Sequence, residues 1–412
     1  MSEPPAVRRL PGWDAERLRG LAGEFGTPLY VYDLDRVREN AARVRAAFEN
    51  ATVSYAVKAN STRAVLETLA ATGVGAECAS AGEVQRAVDA GFPGTTVRYT
   101  AVNPPARDLD HVVGLADDND LVVTVGAADT LDRLAERGYE GRLCVRVNPG
   151  VGAGHHEKVT TGSEPKFGVP ADRAAEFVAE ARERFEVVGL HAHAGSGITS
   201  EDGLTAHRDL VARMGDLARE VLGDGPLGFV NVGGGFGVPY RPGEDPLDLG
   251  AVAAATREAF GDVDATLGVE PGRYFVADAG VLLTRVNTVK PTPETLVVGV
   301  DAGMTTLIRP ALYNSYHELR NVAPGVAERE RVAATITGPI CETADVLARD
   351  REIARPDRGD VLAVGNAGAY GYEMASQYNS RPRPAVVAVD GEASLAVRRE
   401  RLSDITRLER CE

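Results

Sequence analysis

Short runs of aliphatic and β-branched residues, each closing on a glycine or a polar side chain, alternate along most of this chain with longer stretches whose apolar residues recur every three or four positions. Eight such runs lie between residues 52 and 272: TVSYAVK (52–58), GVGAEC (73–78), TVRYTAV (96–102), LVVTVG (121–126), LCVRVNP (143–149), VVGLHAHAG (187–195), FVNVGGG (229–235) and TLGVEPG (266–272). The intervening segments, among them RAVLETLAAT, AGEVQRAVDAG, LDRLAERG and AAEFVAEARERF, have the spacing of a helix face, so each repeat reads as a βα unit. Eight βα units in succession predict an α/β fold, a TIM barrel over residues 34–279.

Past residue 280 the helical spacing disappears and strand-like runs follow one another closely: AGVLLTRVNTVK, ETLVVGVDAG, RVAATITGPI, DVLAVGNAG and PAVVAVDG. They predict a second, mainly β domain of barrel or sandwich type, spanning 280–412. The N-terminal PLYVYDLD has no place to pair inside a closed barrel, so residues 1–33 are expected to join it. Between the fifth and sixth runs, GVGAGHHEKVTTGSEPKFGV is glycine-rich and aperiodic and reads as a loop over the barrel mouth.

A length of 412 residues suits a large barrel plus a second domain. No apolar stretch reaches the roughly eighteen residues of a membrane span, and MSEPPAVRRLPGWDAERL lacks a signal-peptide core, so a soluble, cytosolic protein is expected. The net charge of -15, with no run of basic residues, speaks against nucleic acid and anionic membranes as partners. Cys78, Cys144, Cys341 and Cys411 form no CxxC pair, which disfavours a disulfide framework and a structural zinc site. The only lysines are Lys58, Lys158, Lys166 and Lys290. An acidic, lysine-poor surface fits a salt-rich cytoplasm, and GC-rich coding explains it equally well.

Barrel active sites form at the C-terminal ends of the strands, with phosphate sites favoured after strands seven and eight. Lys58 closes the first run, His193 the sixth, GGGFG (233–237) follows the seventh and EPGR (270–273) the eighth. A lysine is ordinarily a solvated surface group, but one that closes the apolar run VSYAV is partly desolvated and so suited to a Schiff base. The glycines let backbone N–H groups approach a phosphate, although a GGG run is often only a flexible turn. Glu270 and Arg273 offer a carboxylate and a guanidinium across the Pro271-Gly272 turn, the carboxylate alternatively serving as a helix cap. His193 stands three residues before Ser196 at a strand end, a spacing that favours a binding role over a structural one, with His191 facing the same way. Together these residues describe a site for an aldehyde cofactor that carries a phosphate and a ring nitrogen.

The series YAVKAN, HxHxGS, GGGFG, EPGR, CE and GAYG resembles the fold-type III pyridoxal-phosphate-dependent decarboxylases over about residues 25–400. LIRPALYNSYHEL (Leu307 to Leu319) and GAYGYEMASQYNSRPRP (Gly368 to Pro384) are similar to the branch acting on meso-diaminopimelate rather than on ornithine. The resemblance implies pyridoxal 5'-phosphate held by Lys58, His193 stacked on its ring, and Glu270 at its pyridine nitrogen. It assigns the phosphate to Ser196, the backbone of Gly234 and Gly235, Arg273 and Tyr370, with Pro271 and Gly272 shaping the turn. It implies Arg309 and Tyr313 for a distal carboxylate, Glu342 for a distal ammonium, Arg273 and Tyr370 against substrate, and Cys341 returning a proton to the reacting carbon. The Cys341–Glu342 segment belongs to the other subunit in that family, so a homodimer with shared sites is implied. HAGSG replaces the family's usual HIGSQ, CETAD its CESxD, and Glu77 its common aspartate. The reaction implied is decarboxylation of meso-2,6-diaminopimelate to L-lysine. A decarboxylase of ornithine, arginine or carboxynorspermidine, a racemase on the same barrel, and a silent binding protein are the alternatives.

Overall fold

The computed structural model describes residues 5–151, 153–154, 166–193, 195–199 and 201–409. Cys411, Lys158, Ala194 and most of the aperiodic segment between the fifth and sixth runs lie outside the described residues. The chain divides into two compact units, one of Arg38–Val238 and Leu247–Phe275, the other of Met1–Val37, Pro239–Pro246 and Val276–Glu412.

In the first unit all eight runs are strands: Thr52–Ala56, Gly75–Cys78, Val97–Tyr99, Val122–Val125, Arg142–Asn148, Glu186–His191, Phe229–Asn231 and Thr266–Val269. Each is parallel to its neighbours in chain order, and the last returns to the first through Gly268 opposite Thr52 and Val269 opposite Val53. Closure leaves no free sheet edge and turns every strand end toward one of two mouths. Strand burial is continuous rather than alternating, as in Gly75–Cys78 and Val122–Val125, because helices cover the outside while side chains fill the inside.

Local sequence sets the helix starts. Ser80 accepts from the Glu83 N–H at 3.2 Å while the Glu83 carboxylate accepts from the Ala79 N–H at 2.7 Å, opening helix Ala81–Asp89 with reciprocal caps. Asp248 caps Leu249–Phe260 through the Ala251 N–H at 2.9 Å. Glycines set how closely strands pack inside: a Cβ at Gly189 would stand 2.5 Å from the Phe229 ring, so only glycine admits that ring to the barrel interior.

The second unit is built on a mixed sheet. Leu29–Asp33 lies antiparallel to Gly280–Pro291 and parallel to Ala385–Asp390. Gly280–Pro291 continues to Leu296–Val300 on one side and Val361–Val364 on the other. Leu29, Val31, Val281, Leu283 and Val387 form one apolar layer with Leu10, Leu18 and Leu21 from the N-terminal segment. At its margin Arg36, fully buried, donates from Nη2 to Asp278 at 2.7 Å and from Nε at 3.2 Å. Arg36 also reaches the Pro5 and Ala6 carbonyls, and the Arg8 N–H donates to the same Asp278 oxygen. One buried ion pair thus ties residues 5–8 to Asp278.

Two stability predictions follow from these contacts. Removing one partner of a buried, hydrogen-bonded pair strands the other, so Arg36→Ala should lower unfolding free energy by about 3–5 kcal/mol in a urea titration, far more than an exposed arginine. His207, buried where its ring meets the Thr256 hydroxyl at 2.9 Å, has its pKa pushed down by burial to about 4. The unfolded chain binds that proton near pH 6.5, so the unfolded state holds more protons between those values and stability falls as pH drops through them. The loss from this group is on the order of 3 kcal/mol, and His207→Gln should flatten the profile between pH 7 and pH 4 relative to wild type.

Candidate functional site

Barrel closure brings three strand ends together in the first unit. Strand Thr52–Ala56 runs into a single 3-10 turn, Val57–Ala59, which carries Lys58. Its Nζ lies 2.9 Å from a Glu77 carboxylate oxygen on the next strand, with 40% of the lysine side chain exposed and the glutamate buried. The sequence leads to a partly desolvated lysine; the structure gives a side chain about half exposed and adds an ion pair to Glu77. Glu77 was noted only as a departure from an aspartate, and its contact with Lys58 appears only once neighbouring strands are aligned.

His191 ends the sixth strand, and its Nε2 lies 2.7 Å from Glu270 Oε1 beyond the eighth, both side chains being buried. Burial acts to neutralise Glu270, but His191, through charge and hydrogen bond, together with Lys58, outweighs it and holds the carboxyl below its usual range, at about 2. The second carboxylate oxygen, Oε2, is buried with no hydrogen-bond partner among the described residues. Glu270 is therefore an ionised acceptor with one lone edge. His193, two residues past the strand, has its pKa driven down to about 3, first by burial and then by Lys58, so its imidazole stays neutral. The Gly234 N–H donates to His193 Nδ1 at 3.3 Å, which leaves the ring proton on Nε2.

That contact changes what the glycines do. Gly234, expected to donate to phosphate, turns its N–H to His193, and a Cβ on it would meet the Glu270 carbonyl at 2.4 Å. Gly233 has φ +79°, and a Cβ there would come 2.5 Å from His193 Nδ1. Gly235, at φ +90°, accepts at its carbonyl from the Gly197 and Ile198 N–H groups. These glycines first let their own stretch of chain lie close against His193 and the Glu270 backbone. The Ser196 hydroxyl makes no hydrogen bond among the described residues. Pro271 accepts at its carbonyl from the Ala56 N–H at 3.3 Å, Gly272 packs its Cα side on Ala56 and Ala59, and Arg273, buried, opens the one-turn helix Arg273–Val276. Arg146 on the fifth strand carries no motif, yet its guanidinium stands over the Phe167 ring at 5.1 Å and interacts with both Glu270 and Glu77.

The second unit assembles the remaining candidates in two places. Arg309, buried, stands over three tyrosine rings, at 5.6 Å from Tyr240, 5.8 Å from Tyr313 and 5.9 Å from Tyr370, and its Nη2 reaches the Ser315 hydroxyl at 3.2 Å. Tyr370 holds a left-handed φ of +55°, a conformation costly outside glycine and asparagine. Tyr240 comes from Pro239–Pro246, a segment between barrel elements in sequence that carries no motif. Elsewhere in this unit Cys341 is exposed, with the Asn379 amide 3.6 Å from its sulfur, and the Tyr378 hydroxyl donates to Glu342 at 2.6 Å. This loop is held from below by buried Asp345, which accepts from the Met304 N–H at 2.5 Å and the Ile340 N–H at 2.7 Å. Gly303 and Gly338 make room for that carboxylate, since a Cβ on either would overlap it.

Comparison with known proteins gives one family. The model described as pyridoxal-dependent decarboxylase, pyridoxal binding domain, matches residues 34–277. A diaminopimelate decarboxylase of Methanothermobacter thermautotrophicus is 42% identical over 402 residues, 94% of this chain and 92% of the relative. Among solved structures, diaminopimelate decarboxylase from Helicobacter pylori complexed with L-lysine superimposes with TM-score 0.89 at 32% identity, covering 95% of this chain and 99% of that one. The enzyme from M. jannaschii in co-complex with L-lysine gives TM-score 0.88 at 30% identity, covering 100% of this chain and 98% of its own.

The Glu270 contact carries a pH prediction. Its carboxyl is ionised because the interactions with His191 oppose burial, so in His191→Leu the pKa should rise above the ordinary 4.5, whereas the wild type protonates only near pH 2. An isotope-edited infrared titration of the cofactor-free protein checks this: a protonated-carboxyl band should be present at pH 4 in the variant and absent in the wild type.

Proposed function

We propose that this chain, which belongs to the pyridoxal-dependent decarboxylase family, removes one carboxylate of meso-2,6-diaminopimelate to release carbon dioxide and L-lysine. The observation that carries the reading is the buried, ionised Glu270 with its unpartnered Oε2. Such an acceptor fits the protonated ring nitrogen of pyridoxal 5'-phosphate and would hold that proton in place. When bound, the cofactor supplies an aldehyde for the amine and a cationic ring that takes up the electron pair of the broken carbon–carbon bond.

The chain's own residues then divide the work. Lys58 Nζ would hold the cofactor's aldehyde, and Glu77, 2.9 Å away, would keep that amine positioned beside the reacting centre. Neutral His193 presents a flat face to the ring without a competing charge. Arg273, the Ser196 hydroxyl, the Gly234–Gly235 backbone and Tyr370 are assigned to phosphate, Arg273 and Tyr370 also to substrate. With the Gly234 N–H committed to His193, Ser196 and Gly235 carry more of that role. Arg309 supplies the cation a distal carboxylate requires, with Tyr313 beside it, and a simple diamine would have no use for it. Glu342 would take the distal ammonium and Cys341 would return a proton to the carbon that lost its carboxylate.

Cys341 and Glu342 are exposed in the single chain, which suits their being covered by a second copy, and a cytoplasmic homodimer with shared sites is part of the proposal. Among the described residues no helix is long and apolar enough to cross a membrane. A racemase is disfavoured because an ionised carboxylate at the ring nitrogen promotes the electron uptake that a racemase suppresses.

Product analysis tests the reading: with meso-diaminopimelate and added cofactor, lysine and carbon dioxide should form in equal amounts, and putrescine from ornithine without lysine would overturn it. Lys58→Ala should abolish turnover. Cys341→Ala should keep the cofactor's visible absorbance while kcat falls by roughly 10²- to 10⁴-fold, the typical contribution of a positioned general acid.

A further inference from the structure

At the N-terminal end of the barrel strands, away from every residue assigned above, the first unit contains a cavity of about 590 Å³ lined by Arg45, Phe48, Glu49, Ser54, Thr96 and Arg98 among others. Arg98, on the third strand, is 8% exposed and lies with its guanidinium 4.3 Å over the Phe229 ring. Its Nη1 donates to Ser54 Oγ at 2.6 Å, and its Nε is buried without a hydrogen-bond partner among the described residues. No carboxylate among the described residues pairs with it; the carboxylate that acts on it, Glu270, does so only at a distance, and burial lowers its pKa. A buried cation without an anion is a configuration proteins avoid.

The surroundings are suited to supplying that anion from solution. Ser54 accepts from Arg98 and therefore keeps its own hydroxyl proton to donate. Gly75 leaves the space beside it open, since a Cβ there would stand 2.9 Å from Ser54 Oγ. Arg142, paired with Asp120, adds positive potential, while Arg45 uses Nη1 on the Thr72 carbonyl. Glu49 on the wall opposes a multiply charged ligand. One guanidinium edge, one hydroxyl donor and an aromatic ring behind them match a single, weakly hydrated negative charge.

We propose that this cavity is an anion site in which a monoanion, a halide or a small monocarboxylate, binds the Arg98 guanidinium and the Ser54 hydroxyl. Its occupant neutralises the buried Arg98 cation, so it stabilises the folded state by mass action and leaves turnover unchanged.

Bromide and formate serve as probes of the two sources, both applied to the cofactor-loaded enzyme so that the phosphate site is already filled. In bromide-soaked crystals an anomalous peak should stand within hydrogen-bond distance of Arg98 and Ser54. The Tm of the wild type should climb more steeply with probe concentration than that of Arg98→Met, whose slope reports the general effect of salt. Ser54→Ala should lose part of the excess and folds even if Arg98→Met does not, being a small change at one hydroxyl. Excess slope with bromide alone identifies a halide site, and with formate alone a carboxylate site; either supports the proposal. No density at Arg98 with either probe, or a peak accompanied by equal slopes in wild type and both variants, would mean an adventitious ion at most and would overturn it.

Discussion

A carboxylate buried at the end of a barrel strand is unfavourable unless something holds its charge, and the contact between His191 and Glu270 does so here. Desolvation is the largest single influence on Glu270 and acts to protonate it, yet the carboxyl stays ionised because His191 meets one oxygen at 2.7 Å. Every other feature of the barrel mouth is arranged around that charge. The glycines of GGGFG let that turn lie close against His193 and the Glu270 backbone, Arg146 and Lys58 contribute positive potential, and neutral His193 adds an aromatic face without adding charge. The contact also leaves Oε2 buried and without a hydrogen-bond partner among the described residues.

The barrel interior treats its charges differently at its two ends. At the C-terminal mouth the carboxylates are met directly: Lys58 pairs with Glu77, and the His191 ring hydrogen-bonds Glu270. At the other end Arg98 has an aromatic ring, a hydroxyl and an open cavity but, among the described residues, no paired carboxylate. Low dielectric makes both arrangements consequential, since a charge that water does not screen must be met by another charge or shift its protonation. The second unit follows the same logic with fewer charges, placing Arg309 among three tyrosines and Asp345 under the Cys341 loop, where backbone N–H groups satisfy it.

Much of this was legible before any coordinates. Strand periodicity found all eight barrel strands because each is a short apolar run between helices whose own spacing is unambiguous. Lys58, His193, Glu270 and Arg273 were legible because they sit at strand ends, where a barrel puts its chemistry. Glu77, Arg146 and Tyr240 were not singled out for the contacts they make, since a charged or aromatic residue inside an ordinary strand or loop carries no motif. Gly234 shows a related limit: glycine in a sequence signals close approach without saying what approaches, here His193 and the Glu270 carbonyl.

By itself the sequence determined the βα repeat, the order of the strand ends and the residue types placed on them, because periodicity and punctuation are local properties of the chain. Only the tertiary structure decided which of those residues meet. Closing the sheet brings the sixth and eighth strands within one strand of each other, so that residues 79 positions apart share a proton-binding site. It also leaves Arg98 inside without a paired carboxylate among the described residues. Pairing of charges depends on distances that the alternation of apolar and polar residues does not encode.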